Sequence, residues 1–205
     1  MELISKNFRV VDDKETRRAR ISFLLRSLGY STEIYDSAPN FEADIDINDI
    51  IFLYSSGDMG PLGRLVAKNE LAGAWCPIVI YGENLHSETI TSAIFEGALD
   101  FLAYPFTAGD VVRCIGRVVR RSAPIREGRR LRADARRLVA KLSPRERDVL
   151  SGLVGGMTNK EIGTALAISA RTVEIHRSNL MRKLGARTVV GAVLLALESG
   201  EFQVT

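Results

Sequence analysis

Up to about residue 120, short apolar runs alternate with segments whose apolar residues recur every three or four positions. Phe8-Arg9-Val10-Val11 predicts a buried strand that ends on Asp12-Asp13. Ile21, Leu24, Leu25 and Leu28 predict an amphipathic helix over 14–28, which Gly29 stops. Residues 31–35 alternate as a strand, and 39–43 predict a short, weakly patterned helix. The unbroken run at 49–54 suits a central parallel strand. A glycine-rich loop follows at 55–61, then a helix at 62–71, a buried strand at 77–81 and a helix at 87–97. A strand at 101–104 ends at Pro105, and Thr107 caps a helix that reaches at least Arg120. Strands alternating with helices predict an α/β doubly wound, five-stranded parallel sheet of flavodoxin-like type.

Beyond residue 121 only the helical period remains. Ala123-Pro124 is predicted to break the helix. Leu131, Ala135, Leu138 and Leu142 then recur at spacings of four, three and four. That is an a/d seam over two heptads, a helix whose arginines lie along phosphates, or simply a solvated linker helix. Ser143, Pro144 and Glu146 form a capping box with a proline start, and Val149, Leu150, Leu153 and Val154 follow at helical spacing up to Gly155-Gly156. Thr158 with Glu161 repeats the box ahead of Ile162, Leu166 and Ile168. Ser169 caps a third helix, 170–184, whose apolar residues include Val173, Leu180 and Leu184 and whose other faces carry arginine, histidine, asparagine and lysine. A last helix spans 188–198.

A short helix, a tight turn and a polar-basic helix present one helix to the major groove, which is about 12 Å wide. The same pattern also fits a small three-helix core with a solvated basic face. The runs LSPRERDVL, TNKEIGTALAIS and RTVEIHRSNLMRKLGA decide between the two: over 142–200 they resemble the C-terminal effector domain of LuxR/FixJ/NarL-type regulators. The resemblance implies double-stranded DNA as partner. By motif position it implies that Glu174, Ile175 and Ser178 face bases. Lys160, Thr172, Arg177, Arg182 and Lys183 are better suited to phosphates, with His176 a helix-surface or phosphate contact. It also implies a homodimer, with Val190 and Leu194 as the contact residues if the last helix pairs; the receiver-like domain and the linker are the other routes left open.

Charge sharpens the division. Residues 1–120 hold 12 basic and 17 acidic residues, 121–141 hold 8 and 2, and 142–205 hold 8 and 6. An acidic front, a basic joint and a basic rear suit a regulatory domain tethered to a nucleic-acid binder. The expected domains are therefore 1–121, a linker at 122–141 and 142–205. Cys76 and Cys114 have no metal-ligand spacing with His86 or His176 and read as buried free thiols. With no apolar run long enough to span a membrane, the expected location is the cytoplasm.

The front half carries a second resemblance. VVDD, LLRSLGY, EIYDSA and GALDFLAYPF resemble the receiver domain of FixJ-like response regulators over roughly 8–121. Receiver chemistry needs an aspartate nucleophile, an acid pair for Mg²⁺, a hydroxyl residue and a lysine. Asp12 and Asp13 supply the acid pair, for which the alternative reading is an N-cap pair ahead of the next helix. Tyr54 (or Ser55, if the loop slips by one), Tyr81 and Tyr104 stand at or near the other three positions. A tyrosine forms no acyl phosphate and carries no fixed positive charge. The site therefore reads as degenerate, needing no cofactor, with Mg²⁺ held weakly at most. Asp58 is the nearby loop carboxylate that would have to replace the acceptor, although its ordinary role is in the turn. Phe101 sits where the family carries a switching aromatic, and an ordinary core role would account for it equally well.

Two arrangements of the tyrosines are open: packed over the strand ends, or lining a site for a different small ligand. The expected function is a sequence-specific DNA-binding regulator with a phosphorylation-independent pseudo-receiver. The alternative is an interaction protein whose front domain binds a protein partner or ligand that controls weak DNA binding. An enzyme ranks last, because no GxGxxG, P-loop or nucleophile–base pair is evident.

Overall fold

A computed structural model of the chain describes residues 7–36, 49–71 and 75–203. The chain divides into two compact units, Met1–Pro124 and Ile125–Thr205.

In the first unit β1 (Asn7–Val11), β2 (Ser31–Tyr35), β3 (Ile50–Tyr54), β4 (Ile78–Gly82) and β5 (Asp100–Ala103) form one parallel sheet in the order β2-β1-β3-β4-β5. Alternate side chains of each strand serve opposite faces. Phe8, Val10, Phe52, Val79 and Tyr81 meet Ile21 and Leu25 of α1 (Glu15–Ser27) and Val111, Cys114 and Val118 of α4 (Ala108–Val139). Val11, Ile51, Leu53, Ile78 and Ile80 meet Leu62 and Leu65 of α2 (Gly60–Leu71) and Ala93 of α3 (Ser87–Phe95). Two covered faces explain why β3 and β4 read as unbroken apolar runs. Strand order reverses beside β1, so the crevice expected of such a fold opens at the carboxyl ends of β1 and β3. The register pairs Tyr54 with Tyr81 there. Both cysteines are free and buried. The short helix expected at 39–43 lies outside the described residues.

Two expectations need correction. The helix does not break at Ala123-Pro124: α4 holds Pro124 inside it. A proline forgoes one ladder hydrogen bond, and the flanking turns carry the helix past it. Nor is there a free a/d seam further along. Leu142 is buried and Leu138 partly buried in the core of the second unit, Ala135 is buried, and Leu131 is exposed. The four-three-four spacing serves packing within that unit.

That core joins Val139 of α4 to Val149, Leu150 and Val154 of α5 (Pro144–Val154), Ile162 of α6 (Asn159–Leu166), Val173, Leu180 and Leu184 of α7 (Ala170–Leu184), and Ala192 and Ala196 of α8 (Val189–Ser199). Both expected capping boxes form, Ser143 with Glu146 and Thr158 with Glu161. Ser169 caps α7 by accepting from the Thr172 N–H, and Gly185 ends it in the left-handed region. Between α6 and α7 a Cβ on Gly163 would lie 2.8 Å from the Ile168 carbonyl oxygen, so the tight turn requires glycine.

Candidate functional site

At the carboxyl edge of the sheet, Asp12 follows β1 and is buried. Arg17, one turn into α1, reaches back to it. Its Nε donates to Asp12 Oδ2 at 2.8 Å and its Nη2 to Asp12 Oδ1 at 2.8 Å, a two-pronged pairing. Nη2 also donates to Asp13 Oδ1 at 2.9 Å. The Tyr81 hydroxyl donates to Asp12 Oδ2 at 2.6 Å, and the Lys14 N–H to Oδ1 at 2.8 Å. The guanidinium carbon of Arg17 lies 3.4 Å from the Tyr54 ring centroid, a cation–π contact.

Burial by itself would push the Asp12 carboxyl up. The hydrogen bonds from Arg17, and then those from Tyr81 and Lys14, outweigh burial and hold it below the usual carboxylate range. Burial and the bond to Asp12 push the Tyr81 phenol up, so it stays a neutral donor. The N-cap reading of the acid pair is thereby corrected. Lys14 occupies the N-cap position without a side-chain cap bond, while Asp12 is engaged by Arg17. This pocket does not fit a divalent cation, because a guanidinium takes both Asp12 oxygens and one of Asp13. Among the described residues no group of three or more His, Cys, Asp or Glu is placed to hold a metal.

The tyrosines pack. Tyr81, fully buried, meets Tyr54 edge-on at 5.6 Å between centroids and Tyr104 at 6.4 Å. Phe106 meets Tyr81 at 5.9 Å and Tyr104 at 5.7 Å. A cavity of about 250 Å³ lies beside Tyr54, with Asp12, Asp13, Asp58 and Arg64 in its lining; Tyr81 and Tyr104 are not part of that lining. Asp58 accepts from the Gly60 N–H at 2.9 Å, a turn contact. Phe101 packs, partly buried, against the core on the α2–α3 face. Arg17 and Phe106 were not singled out from the sequence. Arg17 had one legible signal, a cation four residues after Asp13 on the first turn of a helix.

In the second unit, Glu174, Ile175, Arg182 and Lys160 are exposed. Ser178 is also exposed, whereas Thr172, His176 and Arg177 are half-buried. Glu174 pairs with Arg171 at 3.0 Å. Thr172 shares a hydroxyl hydrogen bond with the cap Ser169 at 2.8 Å. Lys183 faces inward: its Nζ lies 2.6 Å from Glu146 Oε2, the same oxygen that accepts from the Ser143 N–H at 2.7 Å. Burial favours the neutral acid, but Lys183 and then Ser143 hold Glu146 below its usual range. Lys183 therefore ties α7 to α5. Arg136 donates to the Ser199 carbonyl at the carboxyl end of α8, so this joint arginine serves a helix terminus. Val190 and Leu194 stand one turn apart on α8, 67% and 59% exposed.

Residues 140–196 match the family model described as bacterial regulatory proteins, luxR family. The transcriptional regulatory protein FixJ of Bradyrhizobium diazoefficiens is 31% identical over 193 residues, covering 93% of this chain and 94% of that protein. The C4-dicarboxylate transport transcriptional regulatory protein DctR of Rhodobacter capsulatus is 31% identical over 190 residues, covering 88% and 93%. The solved structure of the response regulator StyR is 27% identical with a TM-score of 0.65, covering 95% of this chain and 99% of that one. These relatives are regulators rather than enzymes. Among the described residues no helix is long and apolar enough to cross a membrane.

Proposed function

The chain belongs to the FixJ family of response-regulator transcription factors, with a luxR-type DNA-binding domain at its carboxy end, and from that membership we propose that its receiver unit works without an aspartyl-phosphate switch. The observation that carries this is Arg17. Phosphoryl transfer to a carboxylate needs a divalent cation on the acid pair. Here a covalently tethered cation engages Asp12 and Asp13 and stacks on Tyr54, the residue at or next to the expected acceptor position. Incubation with acetyl phosphate and Mg²⁺, followed by intact mass and DNA-binding measurements, tests this. No phosphoprotein and unchanged affinity are expected. Stoichiometric acyl phosphate with tighter DNA capture defeats the proposal.

The DNA-binding domain enters the major groove with α7. Glu174, Ile175 and Ser178 face base edges, where a carboxylate accepts from a cytosine amino group and an isoleucine meets a thymine methyl. Lys160, Thr172, Arg177 and Arg182 take phosphates. Two copies pair through Val190 and Leu194 of α8, which sets the half-site spacing. A second reading, a receiver unit that answers to a small ligand or protein partner, draws on the cavity beside Tyr54. A purified chain that shifts no promoter fragment until a partner is added favours that reading.

A further inference from the structure

Ion pairing sorts the cations of the second unit. Arg145, Arg147, Arg171 and Lys183 each have a carboxylate partner, at Asp148, Glu201, Glu174 and Glu146. Arg177 and Arg187 have none among the described ion pairs; Arg177 reaches only the amide oxygen of Asn159 at 3.4 Å. These two line one cleft of about 440 Å³, together with Glu174 and Ser178. Asn159, at the start of α6, and Thr188, the N-cap of α8, complete its polar wall. Glu174 and Ser178 are one turn apart on α7, so the cleft opens along the face proposed to read bases.

We propose that Arg187, with Arg177 beside it, is a backbone clamp that takes phosphodiester groups of the strand flanking the α7-filled groove. The physical case is charge and place. A helix in the major groove is bordered by phosphates on both sides, and cations at the rim of its reading face meet them. A guanidinium with no acid to leave gives up no internal pair on binding, whereas Lys183 must release a carboxylate of a buried glutamate. Arg187 lies beyond the carboxyl end of α7, on the turn into α8. The clamp thus extends the footprint past the recognition helix and fixes its tilt from the α8 side. The inference rests on the DNA-binding reading of α7 and adds a contact residue to it.

The test uses the full chain, a duplex selected by the unsubstituted protein from a random pool, and an unrelated duplex. Binding is followed over a salt series for the unsubstituted chain, Arg187→Ala and Arg187→Lys. Each phosphate contact contributes about 0.9 to the slope of log affinity against log salt. Arg187→Ala should weaken binding to both duplexes by a similar factor and lower both slopes by about one unit. Arg187→Lys should restore most of the slope. An unchanged slope beside a steep unsubstituted one overturns the clamp and leaves the DNA reading standing. A loss confined to the selected duplex overturns it too, by making Arg187 a base reader. An unsubstituted chain that binds neither duplex removes both readings.

Discussion

Tyr81 donates its hydroxyl proton to Asp12 across 2.6 Å from a ring that no solvent reaches. Replacing it with phenylalanine keeps the edge-to-face stack and deletes one of four hydrogen bonds to a buried carboxylate. Leaving such an acceptor short by one partner costs about 1–3 kcal/mol. Urea denaturation of Tyr81→Phe should show a loss of that size. A midpoint identical to the unsubstituted chain would mean that water replaces the phenol.

Arg17→Met leaves Asp12 buried without its counter-charge, which costs about 3–5 kcal/mol in comparable pairs. The acid limb of stability should change as well. The folded Asp12 value lies below its unfolded one, so its contribution is present above about pH 4 and is lost as pH falls through the folded value. In Arg17→Met that contribution is missing at neutral pH, and the decline below about pH 4 becomes shallower. Denaturation midpoints taken from about pH 7 to about pH 2 compare the two chains.

Lys183 and Glu146 join α7 to α5. Lys183→Met should destabilise the second unit by roughly 1–3 kcal/mol, below the fully buried case because the lysine keeps access to water. A double-mutant cycle with Glu146→Gln should return a coupling energy above about 0.5 kcal/mol. Zero coupling would restore Lys183 to the phosphate set.

Val190→Asp with Leu194→Asp should abolish pairing through α8 without unfolding it, because both side chains are exposed in the single chain. Sedimentation with a palindromic duplex should then show one copy bound in place of two. Two copies bound as tightly as before would move the dimer contact elsewhere.

Ala167 closes α6 in the left-handed region with φ 54°. An L side chain there costs about 1 kcal/mol that glycine avoids. Ala167→Gly should raise the unfolding free energy of the second unit by about 0.5–1 kcal/mol, read from its urea denaturation. A loss would mean that the alanine methyl packs more than it strains.

The strands of the sheet and the caps of α5 and α6 were legible because each rests on local chemistry: apolar runs, glycine stops and Ser/Thr paired with Glu three residues on. Tyrosines at or near three receiver positions were legible from residue types alone, and the proposed absence of a phosphate switch starts from them. The occupant of the acid pocket was not, since Arg17 reads as one of four basic residues within 14–20 until the backbone turns it toward Asp12. The pairing of Lys183 with Glu146 was hidden for the same reason, because a lysine near the end of a basic helix gives no sign of an acid on another helix. The four-three-four apolar spacing of the joint could not say which surface it would meet. Pro124 was over-read because its effect depends on the turns around it.

Leu138 and Val139 belong to the hydrophobic interior of the DNA-binding unit, yet they precede the segment by which that unit is recognised, residues 140–196. A fragment cloned from residue 140 would be missing its lid: the space those two side chains fill would open to water, along with the Arg136 anchor on Ser199. An autonomous reader of DNA cut from this protein has to start upstream of Arg136.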